Sequence, residues 1–204
     1  MGNKESKTLY KQIIQNEYEN EKEEDNEIII EIEISNNVKE KKINILCDKE
    51  QLIDDNKRYE DYYKKNKINP PKEFNYFNKN NTKLYLNNKE IKFNHKLKFD
   101  KNERNKIKIK SNINLYSLSA MFYKCTNIIN IKFIKLNTNN VTDMSYMFYY
   151  CKNLSELNLS SFNIDNVNNM SDMFTNCFNL KLIQINKLYI DYFKELFYDS
   201  KLII

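Results

Sequence analysis

Four cysteines and a single histidine are the side chains best suited to thiol, redox or metal chemistry in this 204-residue chain. Cys125, Cys151 and Cys177 stand 26 residues apart, while Cys47 and His95 fall outside that series. No Cys-x-x-Cys pair and no cysteine–histidine group has metal-ligand spacing, so a zinc or iron site finds no ligand set. A cysteine recurring at one period reads instead as a ladder of small buried side chains, a role that free thiols fill well. Gly2 is the only glycine, which excludes a glycine-rich phosphate loop, and no recognisable nucleophile–base motif is present. The expectation is a protein that is not an enzyme and carries no cofactor.

Three further groups are suited to contact rather than to bond making. Gly2 lies in Met-Gly-Asn-Lys-Glu-Ser, which fits the N-myristoylation pattern with Ser6 in the required place. One acyl chain gives only marginal membrane binding, and Lys4, Lys7 and Lys11 would add attraction to anionic lipid. The acidic run from Glu17 to Asp25 works against that attraction. Between Lys79 and Lys110 stand eleven Lys or Arg against three acidic residues. Lys92, Lys96, Lys98, Lys106, Lys108 and Lys110 form a candidate basic face for an anionic membrane surface, the alternative being a solvated strand face. Nucleic acid is not the expected partner, because arginine does most base-specific reading and is nearly absent.

The third group depends on the elements that carry it. Met121, Met147 and Met173 recur at 26 residues, as do Phe122, Phe148 and Phe174, and Asn127, Asn153 and Asn179. A fixed period of this length marks stacked units, none of which can bury its apolar face alone. In the middle unit Met144, Met147, Phe148 and Cys151 follow at i, i+3, i+4 and i+7, the spacing of one helical face. Leu154, Leu157 and Leu159 then switch to L-x-x-L-x-L, the pattern of a strand. Between and beyond the inward anchors lie Lys132, Asn158 and Gln184, then Ile134, Ser160 and Asn186. Stacked side by side, these six form a candidate partner-binding patch on an inner sheet face, with another protein as the expected partner.

The segment Val141 to Ile164, V-T-D-M-S-Y-M-F-Y-Y-C-K-N-L-S-E-L-N-L-S-S-F-N-I, resembles the BspA-like leucine-rich repeat, the 26-residue Mycoplasma-type surface protein repeat. The resemblance covers residues of about 118–204. It implies a curved solenoid and an interaction or adhesion role at a cell surface, and it brings no catalytic residues.

The remaining chain reads as polar over 1–26 and as strands thereafter. E-I-I-I-E-I-E-I (27–34) and K-I-N-I-L-C (42–47) alternate with period two around a polar turn. Residues 48–81 read as irregular, with Pro70 and Pro71 as breakers. T-K-L-Y-L-N-N-K-E-I-K-F (82–93) reads as a hairpin turning at Asn87 and Asn88, and K-I-K-I-K (106–110) as another strand. Tyr189, Phe193, Leu196 and Phe197 predict a closing helix.

The expected fold is therefore α+β: a short leucine-rich-repeat-like solenoid, helix plus strand per 26-residue coil, capped by a small N-terminal antiparallel β-domain. The expected divisions are a polar segment at 1–26, a β-rich domain at 27–110 and the repeats at 111–204. No apolar stretch is long enough to span a bilayer. The expected location is the cytoplasm, at the inner membrane surface through Gly2, with the cell surface as the alternative.

Overall fold

The computed structural model describes residues 26–35, 42–99 and 105–196. Its strands are β1 (Glu27–Ile34), β2 (Lys42–Asn44), β3 (Thr82–Leu86), β4 (Lys89–Ile91), β5 (Lys96–Lys98), β6 (Asn105–Asn112), β7 (Ile128–Lys135), β8 (Glu156–Leu159) and β9 (Leu182–Ile185). Its short helices are α1 (Lys49–Arg58), α2 (Glu60–Asn66) and α3 (Ile190–Leu196), the last preceded by a 3-10 turn at Lys187–Tyr189.

Seven strands form one mixed sheet in the order β4-β3-β6-β1-β7-β8-β9. β1 is its hinge element. Ile28, Ile30, Ile32 and Ile34 are buried and alternate with half-buried residues, and β-branched side chains suit such a pleated, half-covered surface. β1 pairs antiparallel with β6 on one side and with β7 on the other. β7, β8 and β9, one from each 26-residue unit, run parallel. β2 and β5 pair apart from this sheet as a two-stranded ribbon.

One face of the sheet is buried, through Leu84, Ile107, Ile109, Ile131, Leu157 and Ile183 among others. The covering layer comes from the N-terminal halves of the repeat units. Phe133 on β7 shows the contact, with its ring 6.3 Å from Phe122 and 6.4 Å from Phe148. Within the layer Phe122, Phe148 and Phe174 stack at 5.7 and 5.5 Å with their ring planes nearly parallel. Helix α1 is tied to the layer by Asp55, which is buried and accepts from the Lys124 ammonium at 2.6 Å and the Tyr123 hydroxyl at 3.2 Å. Tyr146 adds a second tie, its hydroxyl donating to the Asn69 carbonyl at 3.0 Å.

This architecture corrects the expectation of a leucine-rich-repeat solenoid with a helix in each coil, capped by a separate antiparallel β-domain. The chain is mostly a mixed seven-stranded sheet to which both the 27–110 and the 111–204 segments contribute strands. The Met-x-x-Met-Phe-x-x-Cys stretches are not helical. Ala120 and Lys124, Tyr146 and Tyr150, and Asp172 and Asn176 all have φ between 55° and 63°, the left-handed region that an α-helix cannot contain. The chain there is a run of i→i+3 turns, such as Met147 N to Met144 O and Cys151 N to Phe148 O. The amides that a helix would use internally reach across to the next unit. Ala120, Phe122 and Lys124 donate to Ser145, Met147 and Tyr149, while Tyr146, Phe148 and Tyr150 donate to Ser171, Met173 and Thr175.

Other expectations fare unevenly. The hairpin turns at Asn87 and Asn88, with φ of 48° and 69°. The closing helix forms as α3 with Phe193 buried, and Phe197 lies outside the described residues. Residues 27–34 and 42–47 do not pair as neighbours, since β1 takes β6 and β7 while β2 takes β5. The irregular 48–81 stretch contains α1 and α2, both starting and ending before Pro70.

Candidate interaction face

The three parallel strands pair in register, Asn130 with Glu156, Glu156 with Leu182, and Asn158 with Gln184. Side chains alternate across a strand, so this register aligns equivalent positions of the units in rows. Ile131, Leu157 and Ile183 point inward and are buried. The outward rows line an open groove of about 440 Å³. Of the six patch residues drawn from the sequence, Lys132, Ile134, Asn158, Ser160 and Gln184 line this groove together. Asn186 does not; its side chain accepts from the Leu188 amide at 3.0 Å and starts the 3-10 turn.

Sequence reasoning missed Asn130, Glu156 and Leu182, which form the preceding outward row of the same groove. The period of two, counted backward from Lys132, Asn158 and Gln184, would have found them.

The chemistry of the groove is neutral and hydrogen-bonding, with apolar margins. Asn130, Asn158 and Gln184 supply amides, and Ile134 is 54% exposed at the rim. Asn158 spends its oxygen locally, accepting from the Ser160 amide at 2.9 Å and hydroxyl at 2.7 Å. Its two amide hydrogens are the donors it can offer a partner. Lys132 and Glu156 are both exposed, and neither has an ion-pair partner among the described residues. Glu31 sits across from Lys132 in the β1–β7 pair but binds Lys108 at 2.9 Å instead. A groove of amides with one cation and one anion suits the peptide groups of another chain better than a single charged ligand.

The six lysines of the candidate basic face do not share one surface. Lys106, Lys108 and Lys110 lie on β6, Lys96 and Lys98 on the separate ribbon, and Lys92 just after β4. On β6, Lys106 and Lys108 reach Glu33 and Glu31 at 3.9 and 2.9 Å, and Lys96 is held by Asp48. Lys110 stands opposite Lys83 of β3. Gly2, Lys4, Lys7, Lys11 and the acidic run Glu17–Asp25 lie outside the described residues.

The thiols have no reactive setting. Cys151 and Cys177 point their Sγ atoms at the Phe122 and Phe148 carbonyls of the preceding unit, at 3.1 and 3.0 Å. Burial pushes Cys125 and Cys151 well above the ordinary thiol range, and it raises Cys177 to about 12. Burial, helped by the nearby Asp48 carboxylate, raises Cys47 to about 12. A thiol held protonated is a poor nucleophile and a poor metal ligand. His95 Nδ1 lies 3.1 Å from the Cys47 carbonyl. No cluster of three potential metal ligands occurs among the described residues.

No helix among the described residues is long and apolar enough to cross a membrane. Residues 88–203 match the profile of a family described as Mycoplasma protein of unknown function, DUF285. The match begins at the β3–β4 turn and takes in β6 to β9, so it spans the groove and its flank. No curated protein and no solved structure matches the chain.

Proposed function

Since the chain belongs to the Mycoplasma protein family DUF285, we propose that it is a non-enzymatic docking module whose β7–β9 groove receives a segment of another protein. The observation that carries this reading is convergence. Residues drawn from three units 26 positions apart line a single open groove, and their side chains have spare hydrogen-bonding capacity. The likeness of Val141 to Ile164 to BspA-like repeats supports the same role, since that family implies interaction surfaces. A photo-crosslinking residue at Gln184, with a control at Lys83 elsewhere on the sheet, tests it in cells. One partner trapped from position 184 alone, and lost with Asn158→Glu, supports the groove. An identical set of products from both positions overturns it.

The module serves either at an inner membrane surface, tethered through Gly2, or at the cell surface as the repeat resemblance implies. The mass of the native N-terminal peptide separates these. A myristoyl group supports the first location, and labelling of intact cells from outside supports the second.

A further inference from the structure

Among the described residues β9 is the last strand of the sheet and pairs on one side only, with β8. Exposed edges usually carry a charge, a proline or a bulge that prevents pairing with other chains. β9 reads Leu-Ile-Gln-Ile and has none of these. The opposite edge, β4, is three residues long and carries Lys89 and Glu90. The turn layer ends on the same side as β9. In the first two units the amides of Ala120, Lys124, Tyr146 and Tyr150 bond to the following unit. The equivalent amides of Asp172 and Asn176 have no backbone acceptor among the described residues. At β9 and at Asp172 and Asn176, main-chain donors thus lack a backbone acceptor among the described residues.

Charge narrows what fits there. Lys181 and Lys187 bracket β9, both exposed and neither ion-paired among the described residues. Leu182 and Gln184 belong both to this edge and to the groove wall, so an added strand would lengthen the groove. A second copy, paired antiparallel about Gln184, would set Lys181 of each chain against Lys187 of the other, an arrangement of like charges that opposes pairing.

We propose that β9 accepts an extended strand of a partner protein, apolar at alternate positions and acidic at its ends, added beside Leu182–Ile185. The main chain would supply the bonds, and the lysines would select the partner. This rests on the docking reading above and assigns it an edge and a partner chemistry.

The test uses the full chain and two synthetic peptides, Asp-Asp-Val-Thr-Val-Thr-Asp-Asp and its counterpart with lysine in place of aspartate. Amide hydrogen exchange of the protein is read with and without each peptide. The acidic peptide should protect the amides of Leu182–Ile185, with affinity about ten-fold above that of the basic peptide. The double variant Lys181→Glu, Lys187→Glu should reverse that preference. Protection of groove amides such as Asn130 and Asn158, without protection at β9 or any effect of the lysine reversals, overturns the edge assignment and leaves the groove reading intact. No protection anywhere counts against both. Particle size that grows with protein concentration, in the absence of peptide, would make a second copy the occupant and overturn the acidic-partner assignment.

Discussion

The two halves of the solvated sheet face solve the same problem differently. On the β6–β1 side, lysines of one strand stand opposite glutamates of the next, and Lys106–Glu33 and Lys108–Glu31 join across strands. On the β7–β9 side, amides and two uncoupled charges line an open groove. The buried faces beneath are continuous, since β1 belongs to both pairings. In the first half Lys106 and Lys108 are balanced from within, whereas the second has donors and acceptors left for another molecule. Density of charge is therefore a poor guide to where this surface binds, because the most charged strand is also the most internally neutralised.

Five perturbations break or sharpen this contrast, in falling order of effect. Phe148 lies between Phe122 and Phe174 beneath the groove half, and Phe148→Ala should cost about 3–5 kcal/mol. Because β1 joins the halves, both should unfold in one denaturant transition; a separate early loss of the groove half would refute that coupling. Asp55→Ala leaves the Lys124 ammonium and Tyr123 hydroxyl without their shared acceptor, and should cost about 3 kcal/mol by the same measurement.

Alkali should weaken the buried layer. The folded Cys47 and Cys177 thiols titrate near 12, against an ordinary value of 9.0. The unfolded chain releases these protons first, so their contribution is complete below pH 9 and is lost as pH rises toward 12. The loss is about 1.4 kcal/mol per thiol for each pH unit in that window. Denaturation midpoints at neutral and alkaline pH check this, and Cys47→Ala should flatten the slope.

The smallest effects belong to the solvated face. A double-mutant cycle on Glu31 and Lys108, both more than a third exposed, should give a coupling below about 1 kcal/mol that salt screens further. Asn158→Glu should shift stability by no more than about 0.5 kcal/mol while abolishing partner crosslinking from position 184. A large loss of stability would mean that the groove residues are structural.

Much of the local structure follows from simple patterns. The isoleucine alternation in 27–34 marks both the strand and its buried face, and Asn87-Asn88 marks the hairpin. The outward positions of the repeat strands follow from the period of two, which is why five of the six patch residues meet in one groove. The helical reading of Met144, Met147, Phe148 and Cys151 failed for a definite reason. Those residues do share an inward face, but left-handed Tyr146 and Tyr150 turn the backbone between them. Glycine and asparagine usually announce that conformation, and in the first two units alanine, lysine and tyrosine adopt it. Strand partnership was equally hidden. Nothing within 27–34 indicates that it must lie between two strands far along the chain, although glutamates opposite lysines at 106 and 108 agree with the result.

The placement of β1 bears on how the chain reaches this state. Ile34 pairs with Asn105 on one side and with Ile128 on the other, so β1 is synthesised well before either of its neighbours. Closing such long loops precedes any gain from pairing, which slows folding relative to chains with local contacts. An isoleucine-rich ribbon must meanwhile stay unpaired on the nascent chain, and its interspersed glutamates keep like segments of other chains apart until β6 and β7 arrive.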